Sequence, residues 1–222
     1  MLRRKIELCM TLLLLVGMII VSKKLSQLVT SENVQAQKEV VVIDAGHGGH
    51  DPGKVGVNDA LEKDINLQIA EKVKKYLEKN EIEVVMTRED DVMEDTKLED
   101  MKKRVALINK TKPVITVSIH QNSYSDPNVK GAQVFFFTGS EVSKEAASLM
   151  QEELKKVDTE NSRQIKSNSD FYMLKKTEVP TIIVECGFLS NPGEAEKLVS
   201  EEYQEQMAQA ICSGIMTWLS QP

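Results

Sequence analysis

The chain holds only three histidines, His47, His50 and His120, so any imidazole chemistry must come from these positions. His47 lies in a glycine-rich stretch, Asp44-Ala45-Gly46-His47-Gly48-Gly49, and His120 in Ser118-Ile119-His120-Gln121-Asn122. Each follows a β-branched run, and the glutamates Glu62 and Glu185 complete a set of two imidazoles and two carboxylates. A lone histidine after a strand is ordinarily a loop residue with unremarked partners. Two at corresponding strand ends, with two carboxylates, suit metal-assisted hydrolysis. Zinc takes imidazole nitrogen and carboxylate oxygen, and a catalytic zinc keeps three protein ligands and an open position for water. Two histidines and one glutamate would supply the three, and bound zinc lowers the pKa of water from 15.7 to about 7. The other carboxylate would accept a proton and return it to a leaving amine. Spacing alone leaves open which glutamate does which.

A cysteine-based cluster is excluded, because Cys9, Cys186 and Cys212 have no ligand spacing. Cys186 and Cys212 read as buried free thiols.

The elements that must position these groups follow from periodicity. Residues 40–43 are a continuous β-branched run and read as a buried strand. Residues 47–60 hold four glycines and a proline and read as a loop. Ile65, Ile69, Val73 and Leu77 recur at helical spacing and predict a helix over 62–79. Strands are predicted at 82–86, 114–118, 132–137 and 181–184, with a short strand candidate at 171–174. Helices are predicted at 96–110 (Leu98, Met101, Val105 and Ile108 on one face), 141–157 and 202–219. This alternation predicts an α/β domain with a mainly parallel sheet. Ligands of such sheets bind beyond the carboxyl ends of the strands. His47, His120 and Glu185 are each placed one to four residues past a predicted strand end.

Composition sets the frame. The chain has 222 residues, a formal net charge of −6 and a pI near 5.3. No basic stripe with interleaved aromatics occurs, which argues against nucleic acid as a partner. Arg3, Arg4 and Lys5 precede an apolar run at 8–21, followed by Ser22, Lys23 and Lys24. As helix that run would be about 21 Å long, short of a ~30 Å bilayer core. The pattern is that of a secretory signal or a short anchor, and an uncleaved anchor is the expectation. Cys9 opens the run and is badly placed for lipidation after cleavage. The expected organisation is an anchor at 1–24, a polar linker at 25–38 and one catalytic domain at 39–222, exported to the extracytoplasmic face.

Four segments carry a specific resemblance. Asp44-Ala45-Gly46-His47-Gly48-Gly49-His50-Asp51-Pro52-Gly53, Leu61-Glu62-Lys63-Asp64, Ser118-Ile119-His120-Gln121-Asn122 and Val184-Glu185-Cys186-Gly187-Phe188-Leu189-Ser190-Asn191 occur in that order. Together they resemble the successive motifs of the zinc-dependent N-acetylmuramoyl-L-alanine amidases (the Amidase_3 group), over about residues 39–220. The resemblance implies one Zn2+ per chain on His47, Glu62 and His120, with Glu185 as catalytic base. It implies a single α/β domain with a mixed, mainly parallel sheet of about six strands flanked by helices. It also implies hydrolysis of the amide between N-acetylmuramic acid and L-alanine in peptidoglycan. Gln121 stands where the family often has Ala or Leu, and His50 fills a variable slot. Short length, the N-terminal segment and Asp170-Phe171-Tyr172-Met173-Leu174 most resemble the spore-cortex muramic-δ-lactam branch. The implied partners are glycan strands with stem peptides, the membrane through the N-terminal segment, and an activator protein where one exists.

Three rivals are weaker. Gly48 to Lys54 fits part of a phosphate-binding loop, but Val55 replaces the Ser or Thr that would hold Mg2+. A non-catalytic wall-binding module would not need Glu185. A zinc carboxypeptidase ordinarily carries a close His-x-x-Glu pair, whereas His47 and Glu62 are fifteen residues apart. Asn122 is read as fixing local backbone or substrate, and Arg88 as a structural ion-pair former.

Overall fold

A computed structural model describes residues 4, 10, 15–24 and 39–221. The chain divides into two compact units, residues 1–38 and 39–222. In the first, residues 15–24 are helical, and Leu15, Val16, Met18, Ile19, Ile20 and Val21 are exposed. Among the described residues, no helix is long and apolar enough to cross a membrane. Most of the expected anchor before residue 15, and the whole linker at 25–38, lie outside the described residues.

The second unit is an α/β sandwich. Its strands are β1 (Val40–Ala45), β2 (Glu83–Met86), β3 (Ile115–Asn122), β4 (Gln133–Phe137), β5 (Lys166–Asn168) and β6 (Thr181–Phe188). Its helices are α1 (Glu62–Lys79), α2 (Lys97–Thr111), α3 (Glu141–Val157), α4 (Tyr172–Lys176), α5 (Pro192–Leu198) and α6 (Glu201–Leu219). One sheet of six strands runs β2-β1-β3-β6-β4-β5. All neighbouring pairs are parallel except β4 with β6, so the sheet is mixed and mainly parallel, as expected.

Because side chains alternate along a strand, the two faces of the sheet build separate cores. Val41 and Ile43 of β1, Ile115, Val117 and Ile119 of β3, and Ile182 and Val184 of β6 join the larger cluster. Ile69 and Val73 of α1, Met150 and Leu154 of α3, and Met207 and Ile211 of α6 cover it. The opposite face is thinner. Val42, Phe135 and Ile183 pack there against Val105 and Ile108 of α2 and Met173 and Leu174 of α4. That lighter covering leaves room for a cleft at the carboxyl ends of the strands.

Three expectations need correction. The segment 171–174 is not a strand: α4 covers Tyr172–Lys176. Asn168 ends β5 by accepting the N–H groups of Asp170 (2.7 Å) and Phe171 (2.8 Å) through Oδ1, which turns the chain. Met173 and Leu174 are then both buried in the same cluster, which consecutive strand residues, pointing to opposite faces, would not be. Second, His120 and Glu185 lie inside β3 and β6, not beyond them. These central strands have partners on both sides, so pairing continues past the apolar run that betrays them in sequence. Third, Leu98 is 48% exposed and only Val105 and Ile108 of the predicted apolar face of α2 are buried.

Candidate metal centre and cleft

The strand–loop junction after β1 sets the first ligand-type group. The Gly46 N–H donates to the Ile119 carbonyl at 3.1 Å, prolonging the β1–β3 pairing by one residue. His47 then takes a left-handed φ of 64°, an uncommon conformation for a side-chain-bearing residue that functional sites often store. Gly46 is needed for close approach: a Cβ there would stand 2.2 Å from Cε1 of His120. Gly53 combines both demands, with φ at 66° and a would-be Cβ 2.5 Å from Oε2 of Glu62.

Glu62 is the first residue of α1, where the helix dipole favours a carboxylate. Its Oε1 lies 3.2 Å from His47 Nε2 and 2.9 Å from His120 Nδ1. Its Oε2 accepts the Lys54 N–H at 2.7 Å. The two imidazole rings meet edge to face, with centroids 5.0 Å apart. One ligand-type atom from each of His47, Glu62 and His120 lies within 4.8 Å of the others, an N, N, O donor set of the kind zinc takes. His47 is oriented from behind, for its Nδ1 lies 2.8 Å from Asp51 Oδ2 and Asp51 Oδ1 lies 2.6 Å from Lys97 Nζ.

Charge follows this geometry. Burial would raise the Glu62 pKa, but hydrogen bonds and charge from His120 and His47 outweigh it and hold the carboxyl well below the usual range. Burial lowers that of His47, yet Glu62 and Asp51 more than compensate and raise it. Burial also opposes ionisation of Asp51, but Lys97 and His47 bring it down to about 2.

Glu185 stands beside this group and behaves differently. It is 9% exposed, and its Oε2 has no hydrogen-bond partner among the described residues. Burial pushes its pKa up to about 7, against the charge of His120 and with that of Glu62. A buried carboxylate oxygen without a partner is a rarity that calls for a missing ligand, water or ion.

All four side chains line one cleft of about 390 Å³. Its other wall comes from Met101 and Arg104 of α2 and from Phe171, Tyr172 and Met173 around α4. Phe171 is seated by a tilted contact with Phe135, ring centroids 5.4 Å apart. Asp44, fully buried, accepts from Ser118 Oγ and Thr87 Oγ1 and pairs with the cleft residue Arg104 at 3.1 Å.

His50 is exposed and outside the three-residue group. Asn122 lines the cleft, and its Oδ1 accepts the Ser123 N–H at 2.8 Å, so it shapes backbone locally. Arg88 corrects the sequence reading. Among the described residues its four hydrogen bonds go to the carbonyls of Ala45, Gly46, Lys63 and Asp90, so it ties the His47 loop to α1 through backbone and not through an ion pair. The loop after Gly48 leads into isolated bridges, Gly48 with Asp51 and Val55 with Leu61, and the next helix starts only at Glu62. A phosphate-binding loop would need a helix at Lys54. Sequence reasoning missed Asp51, Lys97, Arg104 and Asn66 as supports. Asn66 carried a usable signal, since four residues after Glu62 on a helix is the same face. Lys97 carried none.

The fold and cleft together define a class: α/β domains that gather two imidazoles and two carboxylates at the carboxyl edge of a mixed sheet. Comparison with known proteins specifies it. Residues 41–217 match the profile of the N-acetylmuramoyl-L-alanine amidases, and the chain belongs to that family. The germination-specific N-acetylmuramoyl-L-alanine amidase of Bacillus subtilis is 34% identical over 192 residues, covering 82% of this chain and 81% of that protein. Among solved structures, the CwlD amidase of Clostridioides difficile, in complex with the GerS lipoprotein, superposes with a TM-score of 0.79 at 39% identity. That match covers 82% of this chain and 98% of CwlD. The catalytic domain of CwlV from Paenibacillus polymyxa gives a TM-score of 0.74 at 35% identity, over 82% and 98% of the two chains.

Proposed function

We propose that this chain is a zinc-dependent N-acetylmuramoyl-L-alanine amidase that detaches stem peptides from peptidoglycan, in the branch that serves the spore cortex. The observation that carries the reading is the coincidence, in one cleft, of the His47–Glu62–His120 donor set and the unpartnered Glu185 carboxylate. Membership of the family and the germination-specific relative support the substrate and the setting.

In this reading His47, Glu62 and His120 would hold the ion, and Glu185 would stay free of it. Zinc, when bound, supplies Lewis acidity toward a carbonyl oxygen and acidifies water. The chain's own part is orientation and proton movement. Asp51 fixes the ring of His47, and the helix N-terminus and the Lys54 main-chain N–H favour the ionised form of Glu62. Glu185 Oε2 takes a proton from the attacking water as its oxygen bonds to the lactyl carbonyl carbon. The same oxygen returns that proton to the alanine nitrogen as the carbon–nitrogen bond breaks. A base whose pKa burial has lifted toward neutrality is suited to both halves of this transfer. Met101 and the Phe171–Met173 segment line the wall facing these groups and limit how a substrate can lie.

The protein acts outside the cytoplasmic membrane, where its substrate is. The basic residues and apolar run at its N-terminus hold it there as an anchor. The solved complex of CwlD with a lipoprotein supports a partner protein for this chain as well. The deciding experiment is mass spectrometry of muropeptides released by the purified chain, with and without chelator. Intact stem peptides freed from muramic acid only when metal is present are expected. Cleavage within the peptide, or release unaffected by chelation, would refute the assignment.

A further inference from the structure

At the carboxyl end of β3, successive side chains diverge. His120 reaches Glu62, while Gln121, which also lines the cleft, turns its amide against Asn66 on α1. Both amides are buried, Gln121 at 3% exposure and Asn66 at 0%. Gln121 Nε2 donates to Asn66 Oδ1 at 3.1 Å. Asn66 Nδ2 in turn donates to the Gly46 carbonyl at 3.0 Å and, at 3.4 Å, to Glu62 Oε1. The same Glu62 oxygen accepts the Gln121 main-chain N–H at 3.1 Å and faces both imidazoles.

An asparagine amide presents two donors on one side and an acceptor on the other, and the two orientations fill the same space. With the Asn66 amide reversed, its oxygen would oppose the Gly46 carbonyl and the Glu62 carboxylate, two acceptors. The Gly46 carbonyl and the Glu62 carboxylate, both acceptors, turn the Asn66 donors toward them, and Gln121 Nε2 holds the Asn66 oxygen from the other side, so the Asn66 amide is fixed at both ends. The arrangement is not free of cost. Among the described residues Gln121 Oε1 has no hydrogen-bond partner, and a buried unmatched acceptor is unfavourable in a way that an apolar side chain of like size is not. The donor to Asn66 is what the side chain contributes in return.

We infer that Gln121 is a positioning residue that acts through Asn66 to lock the Glu62 carboxylate, and the Gly46 backbone that carries His47, in the arrangement that receives the metal ion. This rests on the reading of Glu62 as a ligand. Groups that orient metal ligands from behind change metal affinity by about 10–100-fold when replaced, and the Gln121 side chain is two hydrogen bonds removed from Glu62, which places it at the lower end.

The test is zinc affinity of the full chain, by competition with a chromophoric chelator, in parent, Gln121→Met, Asn66→Ala, the double variant and Glu62→Gln. Circular dichroism and melting of the zinc-free chains report folding separately. Gln121→Leu gives a second apolar replacement should the methionine chain not fold. Gln121→Met is expected to weaken zinc binding about tenfold with zinc-free melting close to parent. The double variant is expected to bind no worse than Asn66→Ala, because one acts through the other. Affinity within twofold of parent in Gln121→Met, with zinc lost in Glu62→Gln, overturns this inference alone. Additive losses in the double variant also overturn it, since Gln121 would then act without Asn66. Undiminished zinc binding in Glu62→Gln removes the ligand assignment and this inference with it.

Discussion

His120 on β3 and Glu185 on β6 are direct register partners in parallel strands, so one pair of side chains puts an imidazole and a buried carboxylate on the same face of the sheet. The imidazole reaches Glu62 at 2.9 Å, while the carboxylate keeps an oxygen unpartnered. Neighbours in register thus have separate environments, one tied into the donor set and one held beside it. The proposed division of labour between a ligand and a proton shuttle rests on that difference.

Glu185→Gln keeps size and burial but removes the proton acceptor. Release of stem peptides is expected to fall by about 10²–10⁴-fold, the usual worth of a positioned acid–base group. Zinc content, measured by atomic absorption, should match the parent. Loss of the metal together with activity would make Glu185 a ligand instead.

Removing a donor should remove the ion. His47→Ala and His120→Ala are each expected to purify with little zinc, and chelated parent should regain activity on zinc addition. Binding confined to the native state stabilises it by about 2.7 kcal/mol at a hundredfold excess over Kd. The parent's melting temperature should therefore rise with added zinc, and that of His120→Ala should not.

Asp51 and Lys97 differ in what they control. Asp51→Asn loses the carboxylate behind His47, and zinc affinity should drop about 10–100-fold. The Lys97 side chain is 65% exposed, so its ion pair with Asp51 is weakened by solvent. Lys97→Met is expected to cost less than about fivefold, in keeping with a surface pair worth no more than ~1 kcal/mol. Equal effects in a competition titration would show that Lys97 acts on the site directly.

Gly46→Ala tests close packing at the site. The added Cβ would meet the His120 ring at 2.2 Å, and the obstacle is a side chain fixed by its contact with Glu62. The variant is expected to fold, as the core is untouched, yet to bind zinc at least tenfold more weakly, a loss on the scale of a disturbed ligand support. Parental affinity would mean the ring can move aside without consequence.

Asp44 predicts a stability change with pH. Burial raises its pKa, but Arg104, Ser118 and Thr87 outweigh burial, and the net shift is below 3.8. A carboxyl with a depressed folded value contributes stability that is complete above its unfolded value and is lost as pH falls through the folded one. Arg104→Ala, which leaves the charge buried without its partner, should destabilise by about 3–5 kcal/mol at neutral pH. The difference from parent in denaturant titrations should narrow as pH falls, first as the unpaired Asp44 of the variant protonates in the folded state above its unfolded value of about 3.9, then as the paired Asp44 of the parent protonates below it. A gap constant from pH 7 to pH 3 would place the cost in lost packing.

Local patterns settled much of this protein before any coordinates. The apolar spacing of Ile65, Ile69, Val73 and Leu77 marks α1 over Glu62–Lys79, and the alternation of elements marks a mainly parallel α/β sheet. These follow from chain geometry, in which a period of 3.6 or 2 is written into neighbouring residues. Family membership was legible for a like reason, since it resides in short contiguous motifs. The extension of β3 and β6 through His120 and Glu185 was not, because it depends on partners far away in the chain. Nor was α4, which forms where Asn168 turns the backbone and a small core accepts both Met173 and Leu174. The convergence of His47, Glu62 and His120 on one point, the left-handed turn at His47 and the Gln121–Asn66–Glu62 chain of amides belong wholly to the folded state. Residue types and local periods are properties of the chain. Distances of 3 Å between groups sixty residues apart exist only once strand register and helix packing have been chosen.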